Sequence, residues 1–135
     1  MKKEAGLWID HRKAVIVIVK GKTDETKEVR SSIENEVRYS DGSHVGSEDV
    51  KQQTTAEDKR DRQYMNHLNR YYDDVIAHIH DAATVQIFGP GEAKGELEKR
   101  LAKRKFAGSV DVIETVDKLT DKQIEEKVRL RFRGR

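Results

Sequence analysis

The apolar positions come in two rhythms along the chain. Leu7-Trp8-Ile9 is a short apolar run that ends in the polar turn Asp10-His11-Arg12-Lys13. Ala14-Val15-Ile16-Val17-Ile18-Val19 is almost wholly β-branched and apolar on both faces, which predicts a strand in the middle of a sheet. Gly21-Lys22-Thr23-Asp24 punctuates it. Residues 26–33 then alternate, with Val29, Ser31 and Ile33 on one face and Arg30 and Ser32 on the other. These runs predict an antiparallel meander of three strands. Periodicity stops over residues 39–55, a long polar loop that contains Gly42, His44, Gly46, Gln52 and Gln53. Loops of that length in a compact domain are commonly functional or disordered.

The rhythm then changes to steps of three and four. Tyr64, Leu68, Tyr71, Tyr72, Val75 and Ile79 form one stripe of a long amphipathic helix. Thr55 is its expected N-cap, with Glu57 and Asp58 in the first turn. Residues 84–88 read as a strand, Gly89-Pro90-Gly91 as a tight turn, and residues 92–106 as a helix with Leu97, Leu101 and Ala102 inward. Residues 110–113 make the last strand. Thr120 caps a final helix from Asp121 to about Arg129, with Ile124 and Val128 on its apolar side. The order βββ-α-β-α-β-α implies an α/β fold: a mixed five-stranded sheet covered by helices. A ribonuclease-H-like arrangement has this order of elements. At 135 residues the expectation is a single domain, with residues 130–135 forming an extended basic tail.

Composition narrows the chemistry. The chain has no Cys, which excludes a disulfide framework, a thiolate zinc site and a cysteine nucleophile. The apolar run 14–19 is far too short to span a bilayer, and no signal-peptide pattern opens the sequence, so the expectation is a cytoplasmic protein with no membrane partner. Net charge is +2, but it is unevenly spread. Residues 1–90 hold 14 Lys and Arg against 16 Asp and Glu; residues 91–135 hold 13 against 9. That asymmetry points to a side facing a polyanion.

Several constellations invite a catalytic reading. Two-metal phosphodiester chemistry needs carboxylates that converge. Asp10 stands near the end of the first strand, but the fourth ends in Phe88-Gly89, with Glu92 the nearest substitute and Asp73 and Asp74 late on the long helix. The expectation is therefore that Asp10 only starts a turn. His78 and His80 point apart if helical, and could share a face only if the helix has ended; His44 lies in the loop, His67 on the long helix and His11 in a turn, so no metal site is expected. Gly89-Pro90-Gly91 followed by Lys94 sits where a helix N-terminus can take a phosphate, yet Pro90 offers no amide and no Gly-Lys-Ser/Thr follows. The basic segments are the better candidates. Lys99, Arg100, Lys103 and Arg104 form a stripe opposite Leu97 and Leu101. Arg129, Arg131 and Arg133 alternate with Leu130, Phe132 and Gly134. An extended segment of that kind offers one basic edge to a phosphate backbone, with Phe132 free to stack on a base.

The opening Leu7-Trp8-Ile9-Asp10, the strand 14–19, the long helix with Arg60, Arg62, Tyr64 and Tyr71, and the strand 85–88 entering Gly89-Pro90-Gly91 and a helix with Lys94 and Leu97 resemble the central domain of class-one peptide-release factors and their ribosome-rescue relative Pelota. The resemblance covers roughly residues 5–130. It implies a fold shared with certain ribosomal proteins, a role near tRNA or the ribosome, and a stand-alone middle domain like the family's small bacterial members. Release factors carry Gly-Gly-Gln in the loop before the long helix, where it promotes peptidyl-tRNA hydrolysis. Here Gly42 and Gly46 are separated and Gln52-Gln53 has no preceding glycine pair. The expectation is a non-catalytic, cofactor-free protein that binds a ribosome or structured RNA through Lys94, Lys99, Arg100, Lys103, Arg104, Arg129, Arg131, Phe132 and Arg133. Two alternatives stay open: a hydrolase of RNA or peptidyl-tRNA that uses Asp10 or Gln52-Gln53, and a protein-interaction module in which loop 39–55 and the long helix bind another protein or form a homo-oligomer.

Overall fold

Why the run 14–19 is apolar on both faces becomes plain once the strands are placed. The computed structural model describes residues 2–31 and 56–133. The loop candidates Gly42, His44, Gly46, Gln52 and Gln53, like the expected N-cap Thr55, lie outside the described residues. The elements are β1 (Lys3–Ile9), β2 (Lys13–Lys20), β3 (Thr23–Arg30), α1 (Ala56–Ile79), β4 (Thr84–Gly89), α2 (Ala93–Lys103), β5 (Ser109–Thr115) and α3 (Asp121–Phe132). They form one five-stranded sheet in the order β3-β2-β1-β4-β5. β1 and β3 pair antiparallel with β2, whereas β4 pairs parallel with both β1 and β5. This is the mixed α/β sheet, with its ribonuclease-H-like order, that the sequence predicts.

Helices cover both sides of the sheet, so the central strands are buried above and below. On one side Ala5, Leu7, Ile9, Ala14, Ile16, Ile18, Val85 and Ile87 meet α1 and α2 through Leu68, Tyr71, Tyr72, Val75, Ile79, Leu97 and Leu101. On the other, Trp8, Val15, Val17, Val19 and Phe88 meet Ile124 and Val128 of α3. Period-two alternation sends successive residues of each strand to opposite cores. α3 sits directly on β1: a Cβ at Gly6 would lie 2.5 Å from Val128 Cγ2. The Trp8 indole N–H donates to the Asp117 carbonyl at 3.1 Å and ties down the approach to α3.

β1 begins at Lys3, well before the apolar run at Leu7, because its antiparallel register with β2 continues to Lys3 opposite Lys20. β3 begins at Thr23 rather than residue 26. Lys20 pairs with Thr23 across a two-residue turn in which Gly21 has φ 61°, and such a hairpin turn requires glycine at its first central position. β3 is exposed and charged along nearly its whole length, which protects that sheet edge from pairing with another chain. At the other junction, a Cβ on Gly89 would lie 2.2 Å from the Ile9 carbonyl oxygen, and Gly91 has φ 66°. The Gly-Pro-Gly sequence is therefore required by the close approach of β4 to β1 and by the turn into α2.

The expected tail is corrected. α3 runs to Phe132 instead of stopping near Arg129, since Ile124, Val128 and Phe132 at four-residue steps all face the second core.

Candidate nucleic-acid interface

On α2, Ala93, Leu97 and Leu101 point into the core, which fixes where the charged positions lie. Arg100 faces α1. Its Nε and Nη2 donate to the two carboxylate oxygens of Asp73 at 2.8 and 2.9 Å, a bidentate fork. Arg104, just past the helix, reaches the same carboxylate at 3.4 Å. The Arg100 hydrogen bond holds the Asp73 carboxyl below the ordinary carboxylate range, against a smaller opposing effect of burial, and Asp73 in turn raises Arg100. Lys99 and Lys103 are exposed and have no ion-pair partner among the described residues, and the same holds for Lys105. The stripe read from sequence thus divides: its arginines join α2 to α1 and its lysines face solvent. Lys94 turns back on the junction and donates to the Gly91 carbonyl. The surface along the first half of α2 mixes Glu92 and Glu96 with Lys94 and Lys99 and is not uniformly basic.

The arginines of α3 are distributed by helical geometry. Arg129 and Arg133 share one face and both reach Asp24, Arg129 at 2.8 Å and Arg133 at 3.2 Å. The Arg129 hydrogen bond lowers the Asp24 carboxyl below its ordinary value. Arg131 lies on another face and pairs with Asp111 of β5. Arg129, Arg131 and Arg133 therefore form no common edge, and Phe132 packs against the second core instead of standing free. Sequence reasoning missed Asp24, Asp73 and Asp111 as partners. No local signal marks them, because they lie 105, 27 and 20 residues from the arginines they hold.

Two of the acidic candidates, Asp10 and Asp73, have structural partners. Asp10 Oδ1 accepts from the backbone N–H groups of Arg12 and Lys13 at 2.8 Å each, which makes the β1–β2 turn. Glu96, which no sequence pattern singles out, accepts from the Tyr72 hydroxyl at 2.6 Å and lies 3.1 Å from His11 Nε2. Burial and the Glu96 hydrogen bond push the Tyr72 phenol well above its usual value; burial, with Asp10 nearby, does the same for Tyr71. His67 Nε2–H donates to the Ser31 carbonyl and His80 Nδ1–H to the Ala77 carbonyl, so neither joins His11. Among the described residues no three His, Asp or Glu side chains converge as metal ligands.

No protein-family model matches the chain, and no curated protein matches it in sequence. Solved structures do. Pelota from Thermoplasma acidophilum superposes with a TM-score of 0.54 at 12% identity, covering 96% of this chain and 32% of Pelota. Pelota from Archaeoglobus fulgidus gives the same TM-score at 16% identity, over 96% of this chain and 31% of its own. The fold is Pelota-like. At these identities the likeness is one of fold, and the chain spans about a third of the Pelota length. An archaeal translation termination factor, aRF1, is more distant, with a TM-score of 0.46 and 13% identity over 97% of this chain and 39% of its own. Relative to the Pelota-like frame, the solvent-facing lysines lie on and just beyond α2, which packs on the same side of the sheet as α1. No helix among the described residues is long and apolar enough to cross a membrane.

Proposed function

We propose that this chain is a translation-factor-like domain that associates with ribosomes or structured RNA and has no catalysis of its own. The observation that carries this reading is the Pelota-like fold over 96% of the chain. The exposed lysines at positions 99, 103 and 105 support it, because cations without an internal partner are the ones available to phosphates. Lys94 and Arg104 flank them. Arg100, Arg129, Arg131 and Arg133 contribute less, since each would have to leave a carboxylate to reach RNA. A cytoplasmic location follows from the same reading.

Sucrose-gradient sedimentation of the tagged protein from a lysate tests it directly. Association with ribosomes or subunits at low salt, removed at high salt, is the expected outcome, because phosphate contacts release counterions. Protein at the top of the gradient in both salts would sink the proposal.

A further inference from the structure

Beyond the lysine face, the C-terminal ends of α1 and α2 enclose a groove of about 510 Å³. Ile76, Ala77 and the half-buried Phe106 make its apolar part; exposed His80, Arg104 and Lys105 line it as well, with Asp73, whose carboxylate is already paired with Arg100 and Arg104. An aromatic ring beside two cations, Arg104 and Lys105, is a combination that takes a planar base with its phosphate. We infer that this groove holds one unpaired nucleotide, its base stacked on Phe106 and its phosphate beside Lys105. The choice of an RNA strand as the source of that nucleotide rests on the function proposed above; the mononucleotide chemistry does not.

The backbone at Lys105 supports the assignment. Lys105 has φ 57°, and no other described non-glycine residue has a positive φ. Its N–H donates to the Ala102 carbonyl, and the Phe106 N–H donates to the Leu101 carbonyl, each at 3.0 Å. These two bonds form a Schellman closure of α2, whose left-handed position glycine fills without steric conflict. A lysine there is strained, and strain of this kind collects at binding positions. The closure satisfies the Leu101 and Ala102 carbonyls through backbone N–H groups, without the Lys105 amine. Arg104 differs, being held partly by Asp73 at 3.4 Å. Phe106 packs at the edge of the first core, and a Cβ at Gly108 would come within 2.6 Å of its ring. A base must leave its duplex stack to reach such a ring, which makes single-stranded RNA the fitting form.

The test is an amide-shift titration of the full chain with adenosine monophosphate, and separately with adenosine and with inorganic phosphate. The monophosphate should move the Ala77, His80 and Phe106 amides at lower concentration than either half alone. Lys105→Gly should bring the monophosphate response down to that of adenosine, about fivefold weaker, and relaxing the left-handed residue should raise Tm by about 2–4 °C. A residue there for structure alone would not move the two readouts in opposite directions. Phe106→Leu keeps the apolar fill and should weaken binding of a six-nucleotide single strand roughly tenfold, the loss of one base stack. Shifts elsewhere, no shifts, an equal response to phosphate alone, or an unaltered Lys105→Gly response would each overturn the groove. If the groove responds and ribosome association fails, the function proposed above falls and the groove stands. Ribosome association with a silent groove removes only this inference.

Discussion

At Asp73 one carboxylate accepts from Arg100 through both oxygens and lies near Arg104. Its lowered pKa means that the folded chain holds a proton there less readily than the unfolded chain, whose Asp titrates near ~3.9. The stabilisation is therefore complete above about pH 4 and is lost as pH falls through the lower folded value. Asp24 and Asp81, lowered by hydrogen bonds from Arg129 and Lys3, act in the same direction. Asp73→Asn should cost about 1 kcal/mol at pH 7 and shrink the loss of stability between pH 7 and pH 3. Urea midpoints of both proteins at the two pH values decide this; an identical acid loss would acquit Asp73. The same substitution releases Arg100 and Arg104, so RNA association should tighten and its salt dependence steepen while stability declines. Gly89 shows the opposite kind of constraint. A methyl group there meets the Ile9 carbonyl at 2.2 Å, and Gly89→Ala should cost about 3 kcal/mol or prevent folding. Circular-dichroism melts that match those of the unaltered protein would refute it.

α3 shows how an element can be half legible. Its start was readable, because Thr120 and Gln123 form a reciprocal capping box, with bonds of 3.1 and 2.9 Å. Thr120→Ala should lower stability by about 1 kcal/mol in thermal denaturation. Its end is ambiguous in the sequence because Arg129-Leu130-Arg131-Phe132-Arg133 alternates like a strand edge, while the four-residue spacing of Ile124, Val128 and Phe132 carries the helical period. Packing against Trp8, Val17 and Phe88 selects the second pattern. The doubly apolar β2 and the stripe of α1 were legible because their periods are long and unmixed. The β1 and β3 limits were not, since pairing with β2 extends both beyond their apolar residues. The seat of α3 also depends on Gly6, whose role nothing in the local pattern signals. Gly6→Ala should destabilise by about 2 kcal/mol, and Val128→Ala in the same chain should recover part of that cost. Additive losses in the double variant would show that the two residues do not share the contact.

For the whole molecule, the fold sorts a charge excess that the sequence shows only as a total. Residues 91–135 carry 13 basic residues against 9 acidic ones. The arginines near the end of α3 lie against Asp24 and Asp111, whereas Lys99, Lys103 and Lys105 have no partner among the described residues. That division depends on contacts between distant segments, so no reading of spacing along the chain recovers it. It separates two variants of equal charge change. Lys99→Glu with Lys103→Glu replaces exposed cations on a solvated face, and surface substitutions of this kind usually change stability by less than about 0.5 kcal/mol. Arg129→Glu with Arg133→Glu instead places two anions beside Asp24 and loosens α3 from β3. A uniform electrostatic attraction would respond to both pairs alike. An interface on α2 responds to the lysine pair alone: ribosome co-sedimentation should vanish for that variant, while the arginine variant melts earlier and still associates. For purified RNA, each lysine lost from the interface should reduce the slope of log affinity against log salt by about 1. Equal loss of association in the two variants would place the interaction in the overall charge of the molecule and remove α2 as its site.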